Sequence, residues 1–400
     1  MSATGRTAPP HGGGGLYLHV PFCARSCSYC HFCRTDRHDP SRRRRYVDAV
    51  RREFALRATG CGLLAGSGAR LAATCYVGGG TPSCLEPDLF AALLAGTWDR
   101  LSRASDAEVT AEANPETFTA PLAAAWRGAG VNRISLGVQS LDPGVLALLG
   151  RSCGPGAARE ALRLASRTFG RVSADWILAP GCRPERLRAE FAEARDLGVG
   201  HVSLYILEVH EGTPLAEAVA AGRLRLPPRE ETERIYLEAR ADLAGLGYAQ
   251  YEVSNFCLPG EESRHNAAYW RRAPYLGLGP GAHGFWGRRR YANHGDLERY
   301  TSEIERGRLP EASCETLDRR ARLLEKIILP LRTRAGVPLA DLPVAREWLA
   351  RGAREGLWRL DRGRLRLSGK GLLHIDEVEA AFSRNLDSRS MRYRGSRPSC

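Results

Sequence analysis

The chain has 400 residues, 43% hydrophobic and 26% charged, the composition of an ordinary globular protein with length for one large domain and a smaller one. Its longest apolar runs, such as Ile177–Pro180 and Ile327–Leu331, are far too short to cross a bilayer, which excludes a transmembrane segment. A formal net charge of +13 raises nucleic-acid binding, yet the arginines are scattered and mostly stand beside Glu or Asp, so nucleic acid is not expected as a partner.

Residues 1–14 lack the apolar core of a signal peptide and read as a disordered leader, from which a cytoplasmic location follows as the expectation. In a reducing compartment clustered cysteines serve as metal ligands or redox groups sooner than as disulfides. GLYLHVPF is the first predicted strand, and it runs straight into Cys23, Cys27, Cys30 and Cys33. Beyond them SRRRRYVDAVRREF has Tyr46, Val50 and Phe54 every four residues, which predicts an amphipathic helix with Arg42–Arg45 on its solvated face. The stretches LAATCYV, EVTAEAN, NRISLGV, RVSADWIL and HVSLYIL read as further buried strands. Helical patterns over 41–58, 86–102, 119–129, 156–168 and 184–197 separate them. Strand then helix, repeated about six times, predicts an α/β fold with a parallel sheet, open or curled into a barrel. In such folds the working residues lie just past the C-terminal strand ends.

After about residue 310 the alternation stops. A helix with Leu317, Ala321, Leu324 and Ile328 on one face is expected, then a hairpin in LWRLDRGRLRLSGKG turning at Asp361–Gly363, then a helix near Ile375–Phe382. Helices with a small hairpin suggest a winged-helix-like α+β domain over 311–385, followed by a disordered tail, 386–400.

Three thiolates at Cys23-x3-Cys27-x2-Cys30 on one tight loop can hold three corners of a cubane iron–sulfur cluster and leave the fourth iron open. Zinc is the competing reading, but its sites usually pair C-x2-C with a second, distant ligand pair, and none is evident. Cys33 could complete a four-cysteine site at the expense of the open iron. Gly78-Gly79-Gly80-Thr81-Pro82, at the end of the second strand, is neither a Walker loop nor G-x-G-x-x-G; it is either a plain turn or a place where backbone approaches a ligand.

HVPFC-x3-C-x2-C with YVGGGTPS resembles the radical S-adenosylmethionine (SAM) superfamily. EANPE at 112–116, NRISLGVQS at 132–140, YEVSNF at 251–256, HNAAYW at 265–270 and GLGPGAH at 277–283 resemble, within it, the branch that holds oxygen-independent coproporphyrinogen dehydrogenase and the HemW haem chaperones. The resemblance spans roughly residues 15–385. It implies a partial (β/α)6 barrel of the TIM-like kind over 15–255, a barrel-closing segment over 256–310 and a C-terminal accessory domain. It implies that Cys23, Cys27 and Cys30 ligate a [4Fe-4S] cluster whose open iron takes the amino and carboxylate groups of SAM. Tyr17, Tyr29, Gly79, Gly80, Thr81, Glu112, Gln139, Arg151 and Asp175 match family positions around SAM. The implied chemistry is reductive cleavage of SAM by an electron that a donor protein delivers through the cluster.

His265-Asn266-x-x-Tyr269-Trp270 is typical of the HemW branch, where it is tied to haem; imidazole is a common axial ligand and flanking aromatics suit a flat macrocycle. A structural role for His265 stands beside that reading. Two departures mark this chain: Tyr29-Cys30-His31-Phe32 stands where the branch usually has Y-C-D-F, and Asp175–Gly181 is one residue short of the usual DLIYGLPG. The expected function is that of a haem chaperone that binds a cluster, SAM and haem and passes haem or a porphyrin to an acceptor protein. The alternatives are a catalytic coproporphyrinogen dehydrogenase and a methylase or cyclopropanase of related architecture.

Overall fold

The computed structural model describes residues 14–58, 72–342 and 344–394. The expected leader thus lies outside the described residues except for Gly14. In chain order the first half reads β1 (Gly15–Val20), α1 (Pro40–Ala58), β2 (Ala72–Gly79), α2 (Pro87–Gly96), β3 (Arg103–Ala113), α3 (Ala120–Gly128), β4 (Arg133–Gln139), α4 (Pro143–Leu148), α5 (Pro155–Thr168), β5 (Arg171–Leu178), α6 (Pro184–Asp196) and β6 (His201–Ile206). Strands β1 to β6 pair in parallel with their neighbours in sequence order. Adding each strand on the same side by right-handed crossovers keeps the helices on one face, so the sheet curls with its other face inward, as a barrel wall. Leu16, Leu18, Val77, Ile134, Leu136 and Val202 are buried in the core that wall and helices share.

The α2 region is shorter than the sequence suggests. The helix stops at Gly96, a 3-10 turn follows at Trp98–Arg100, and β3 begins at Arg103. A Cβ on Gly96 would lie 2.4 Å from the Arg51 side chain, so this helix end packs tightly on α1. The apolar face of α1 is the expected one, with Tyr46, Val50 and Phe54 buried. Its arginine run, however, is partnered. Arg42 and Arg45 pair with Glu298, Arg45 also with Glu305, and Arg43 with Glu86.

Next come α7 (Pro214–Ala220), α8 (Arg229–Gly245), β7 (Ala249–Gln250), β8 (Asn255–Cys257), α9 (Arg264–Trp270), β9 (Tyr275–Leu278), β10 (His283–Trp286), β11 (Arg289–Asn293), α10 (Leu297–Glu305) and β12 (Glu311–Thr316). This segment covers both edges of the wall. β8 joins β6 antiparallel, β9 joins β1 in parallel, and β10 to β12 extend that edge. A buried charged knot ties it to α1. Glu53, fully buried, accepts from Arg57 (2.7 Å), Asn293 (2.8 Å), the Gly279 amide (2.9 Å) and the Tyr300 hydroxyl (2.7 Å).

The remainder is α11 (Arg319–Leu331), β13 (Val337–Pro338), α12 (Arg346–Arg354), β14 (Trp358–Asp361), β15 (Arg364–Leu367), α13 (Gly369–Leu373) and α14 (Ile375–Arg394). Ile327, Leu331, Val337, Trp358, Leu365 and Phe382 form a core of their own. The hairpin turns where expected, with Arg362 (φ 46°) and Gly363 (φ 72°) both left-handed, the type I′ geometry that suits strand twist. Helix α14 runs past residue 386, where the sequence reading began its disordered tail. Residues 383–394 contain neither Gly nor Pro, so nothing local stops the helix before Gly395; residues 395–400 lie outside the described ones. No helix among the described residues is long and apolar enough to cross a membrane.

Candidate functional site

The cysteine loop leaves β1 and is stitched to its surroundings mostly through backbone. Cys23 donates to Thr35 O (3.0 Å), Thr35 to Pro21 O (2.7 Å), Thr81 to Phe22 O (2.7 Å) and Ser28 to Leu149 O (3.2 Å). Arg34 braces its far side, donating to Cys30 O (2.9 Å) and to the Ser26 hydroxyl. Cys23, Cys27 and Cys30 are close enough for Cys23 to feel the charge of the other two, and burial pushes the Cys23 thiol up to about 11. Two groups donate towards the sulfurs: Thr81 Oγ1 to Cys23 (3.3 Å) and Arg151 Nη1 to Cys27 (3.7 Å). Cys33 turns elsewhere, its Sγ donating to Gly295 O (2.8 Å).

The three glycines after β2 have a structural cause besides any ligand. A Cβ on Gly78 would meet Glu112 Oε2 at 2.8 Å, one on Gly79 (φ +110°) the His19 ring at 2.7 Å, and one on Gly80 the Phe22 carbonyl at 2.9 Å. Only glycine lets β2 end against the cysteine loop. His19 itself bridges Tyr17 OH (3.0 Å) and Cys33 O (2.8 Å). Thr81 is buried and also accepts from Asn114 Nδ2 (3.0 Å), so its hydroxyl serves the cysteine loop.

Glu112, at the end of β3, accepts from Tyr76 OH (2.6 Å) and from the Gly79 amide (3.1 Å). Burial, aided by the neighbouring Asp175 charge, raises its acid to about 7. Asp175 accepts from Ser135 (3.3 Å), and burial raises it to about 6. Arg151, its side chain 2% exposed, donates to Gly137 O (2.9 Å), Asn114 Oδ1 (3.2 Å) and Glu116 (3.3 Å). Gln139 closes β4 with φ 68°, a left-handed backbone that a non-glycine residue adopts only when its surroundings impose it. Tyr29 lies among Cys27, Arg151, Cys30 and Asp175, and burial holds its phenol well above the ordinary range. The expected SAM-pocket residues other than Tyr17, which lies lower on β1, thus gather around the C-terminal mouth of the barrel.

His265 is not with them. It lies against Gly15 and Thr74, at the other end of β1 and β2, and is 1% exposed. Its Nδ1 pairs with Thr74 Oγ1 (2.8 Å) and its Nε2 with Tyr269 OH (2.7 Å). The ring stacks on Tyr76 (5.2 Å), which in turn stacks on Tyr17 (6.3 Å), so His265, Tyr269, Tyr76 and Tyr17 fill the lower lumen as an aromatic column. Burial lowers its basicity to about 3, the value of an imidazole kept neutral. The geometry therefore gives His265 a structural place at the barrel floor.

The sequence reading missed Asn114 as the link between Thr81 and Arg151, Arg34 as the brace, and Tyr76 as the partner of Glu112. It also left Tyr205, 44% exposed at the end of β6, and the His31–His210 pair unremarked. Such residues carry no periodic signal; only strand order brings them together.

The residues present fit the cluster and the SAM that the sequence implied. Gln139 Oε1 and Arg151 Nε, and Arg34 Nε beside the cysteine loop, are buried without a partner, polar atoms left over at the site. Two carboxylic acids and an arginine converge where a cationic sulfonium with an amino-acid head needs both charges. Three sulfurs stand on one loop with donors aimed at two of them, the setting of an iron–sulfur cluster.

A class follows from this. Residues 17–181 match the family model of the radical SAM superfamily. The chain is 40% identical over 372 residues to the haem chaperone HemW of Mycobacterium tuberculosis, covering 91% of this chain and 93% of that protein. It is 38% identical to bovine radical S-adenosyl methionine domain-containing protein 1, mitochondrial, over 87% of this chain and 74% of that one. Among solved structures, coproporphyrinogen III oxidase (HemN) of Escherichia coli superposes with a TM-score of 0.77 at 22% identity, covering 93% and 90% of the two chains, a likeness of fold. The chain belongs to the HemW family of radical SAM proteins.

Proposed function

We propose that this protein is a haem chaperone of the HemW kind: it holds a [4Fe-4S] cluster, SAM and haem, and hands haem to an acceptor protein. The likeness to the mycobacterial chaperone along 91% of the chain carries this reading. Cys23, Cys27 and Cys30 would hold the cluster, and Cys33, engaged with Gly295, would stay outside it. A cluster with SAM on its open iron supplies one-electron chemistry at a carbon–sulfur bond. The chain's own residues bind, orient and exclude water. Glu112 would accept from the N–H of the iron-bound amino group of SAM, and Arg151 and Gln139 would use their spare polar atoms on its carboxylate and ribose. Asp175 balances the sulfonium, Tyr17 and Tyr29 wall the pocket, and the Gly79–Thr81 turn fixes the rim. A reducing protein supplies the electron, the place of work is the cytoplasm, and nucleic acid is no partner.

The test is an anaerobic haem titration of the cluster-loaded protein, followed by transfer to a haem-free acceptor such as apomyoglobin. Saturation near one haem per chain, with transfer, supports the reading. Absence of saturable binding refutes it and directs the search to a substrate for radical chemistry.

A further inference from the structure

Haem carries two carboxylates, and a protein that holds it for delivery needs cations where those carboxylates come to rest. We propose that Arg127, Arg171 and Arg264 hold the propionates of haem in a crevice at the floor of the barrel, beside the start of α9. This inference rests on the proposed haem chaperone function and names the part of the ligand that the floor recognises.

The crevice has a volume of about 520 Å3, within the range of small-ligand sites, and opens at the N-terminal ends of the strands, opposite the cysteine loop. Its arginines come from elements far apart in the chain: Arg127 from the end of α3, Arg171 from the first position of β5 and Arg264 from the first position of α9. Val131 and Phe169 form an apolar wall, a surface for the edge of a macrocycle.

Each guanidinium keeps N–H groups in reserve. Arg127 donates through Nη1 to Thr168 O (3.0 Å) and has no carboxylate partner among the described residues. Arg171 donates from Nη2 to Gly260 O (3.2 Å), while its Nη1 stands 3.6 Å from Glu108, too far for a hydrogen bond. Glu108 has both oxygens engaged with α9, accepting from the amides of Arg264 (3.1 Å) and His265 (3.0 Å). Arg264 donates through Nη1 to Asp106, and its Nε and Nη2 are unbonded among the described residues. Asp106 and Glu108 are the carboxylates of the lining, so cations outnumber anions and the spare donors suit an incoming carboxylate.

Other places suit a dianion less. At the mouth stand the acids Glu112 and Asp175, and Arg151 there is bonded to Glu116 and Asn114. In a second cavity, between α8 and α14, Arg229 is paired with Glu233 and Glu377, and Asp376 adds a further carboxylate.

The experiment is an anaerobic haem titration of the cluster-loaded protein and of its Arg127→Gln, Arg171→Gln and doubly substituted variants, read by the Soret shift at low and high salt. It is repeated with haem dimethyl ester, whose propionates carry no charge, and with inorganic phosphate followed by calorimetry. Iron, sulfide and thermal unfolding are the controls for folding. The expected result is that each single change weakens haem binding about three- to tenfold and the double change more, and that salt weakens the wild type more than the double variant. The ester binds wild type and variants alike, about as the double variant binds haem. Haem and ester weakened together by the changes would show a structural role and overturn the inference. Equal affinity of the wild type for haem and ester, or unchanged haem binding by the double variant, also overturns it while the chaperone reading stands. Phosphate binding that is lost in the variants, with haem binding unchanged, assigns the crevice to a free anion and overturns it too. No saturable haem binding by the wild type overturns both.

Discussion

Replacing Glu112 by glutamine removes one negative charge from the mouth of the barrel and leaves its shape. The carboxylate accepts from Tyr76 OH at 2.6 Å and from the Gly79 amide at 3.1 Å, and burial with the Asp175 charge raises its acid to about 7. At that value about nine-tenths of the group is ionised at pH 8 and about one-tenth at pH 6. If the ionised form is the one that accepts from the amino group of SAM, affinity falls by about tenfold from pH 8 to pH 6. A hydrogen bond to a charged group contributes about 1.5–3 kcal/mol, so Glu112→Gln weakens SAM binding at pH 8 by about ten- to a hundredfold and flattens the pH dependence. Without ligand the sign is opposite. The folded acid at about 7 lies above its ordinary 4.5, so the folded chain binds more protons between those values. This contribution is full below pH 4.5 and is lost as pH rises through about 7. Asp175, raised to about 6 from 3.8, adds in the same sense. The assay is equilibrium binding of SAM to cluster-loaded protein at several pH values, with chemical denaturation of the ligand-free protein beside it. Wild-type SAM affinity in the variant at pH 8, or an unchanged slope between pH 6 and 8, would refute the reasoning.

Cys23→Ser, Cys27→Ser and Cys30→Ser should each abolish stable cluster loading, whereas Cys33→Ser should load iron and sulfide as the wild type does; loss of the cluster in the last variant would make Cys33 a ligand. Glu53→Ala strips four hydrogen bonds from a fully buried knot and leaves Arg57, Asn293 and Tyr300 short of a partner, so stability should drop by about 3–5 kcal/mol in denaturant unfolding. A drop under about 1 kcal/mol would mean that water or Glu311 replaces it. Gly79→Ala puts a Cβ 2.7 Å from the His19 ring at a left-handed φ of 110°, and should cost about 1–3 kcal/mol and weaken SAM binding. An unchanged melting curve with unchanged affinity would contradict the packing described for that turn.

Much of this protein is readable along the chain. Alternating strand and helix patterns mark all six parallel strands, because apolar periodicity reports which face of each element is buried. The spacing of Cys23, Cys27 and Cys30 needs no tertiary information, since the three lie on one loop. The left-handed Arg362–Gly363 turn is also local. Other features depend on strand order alone. Glu112, Arg151 and Asp175 are separated by up to some sixty residues and meet only because successive parallel strands end at the same mouth. His265 looked in sequence like a ligand, since a histidine flanked by aromatics serves a haem or a packed column equally well. Its register against Gly15 and Thr74 puts it at the opposite strand end, with both nitrogens bonded. Nothing periodic links His31 to His210, nor Glu53 to Tyr300 across almost 250 residues. Sequence determines what a segment is made of and which of its faces is apolar; only the tertiary structure decides which end of a barrel a side chain occupies, because that depends on the register of strands far apart in the chain.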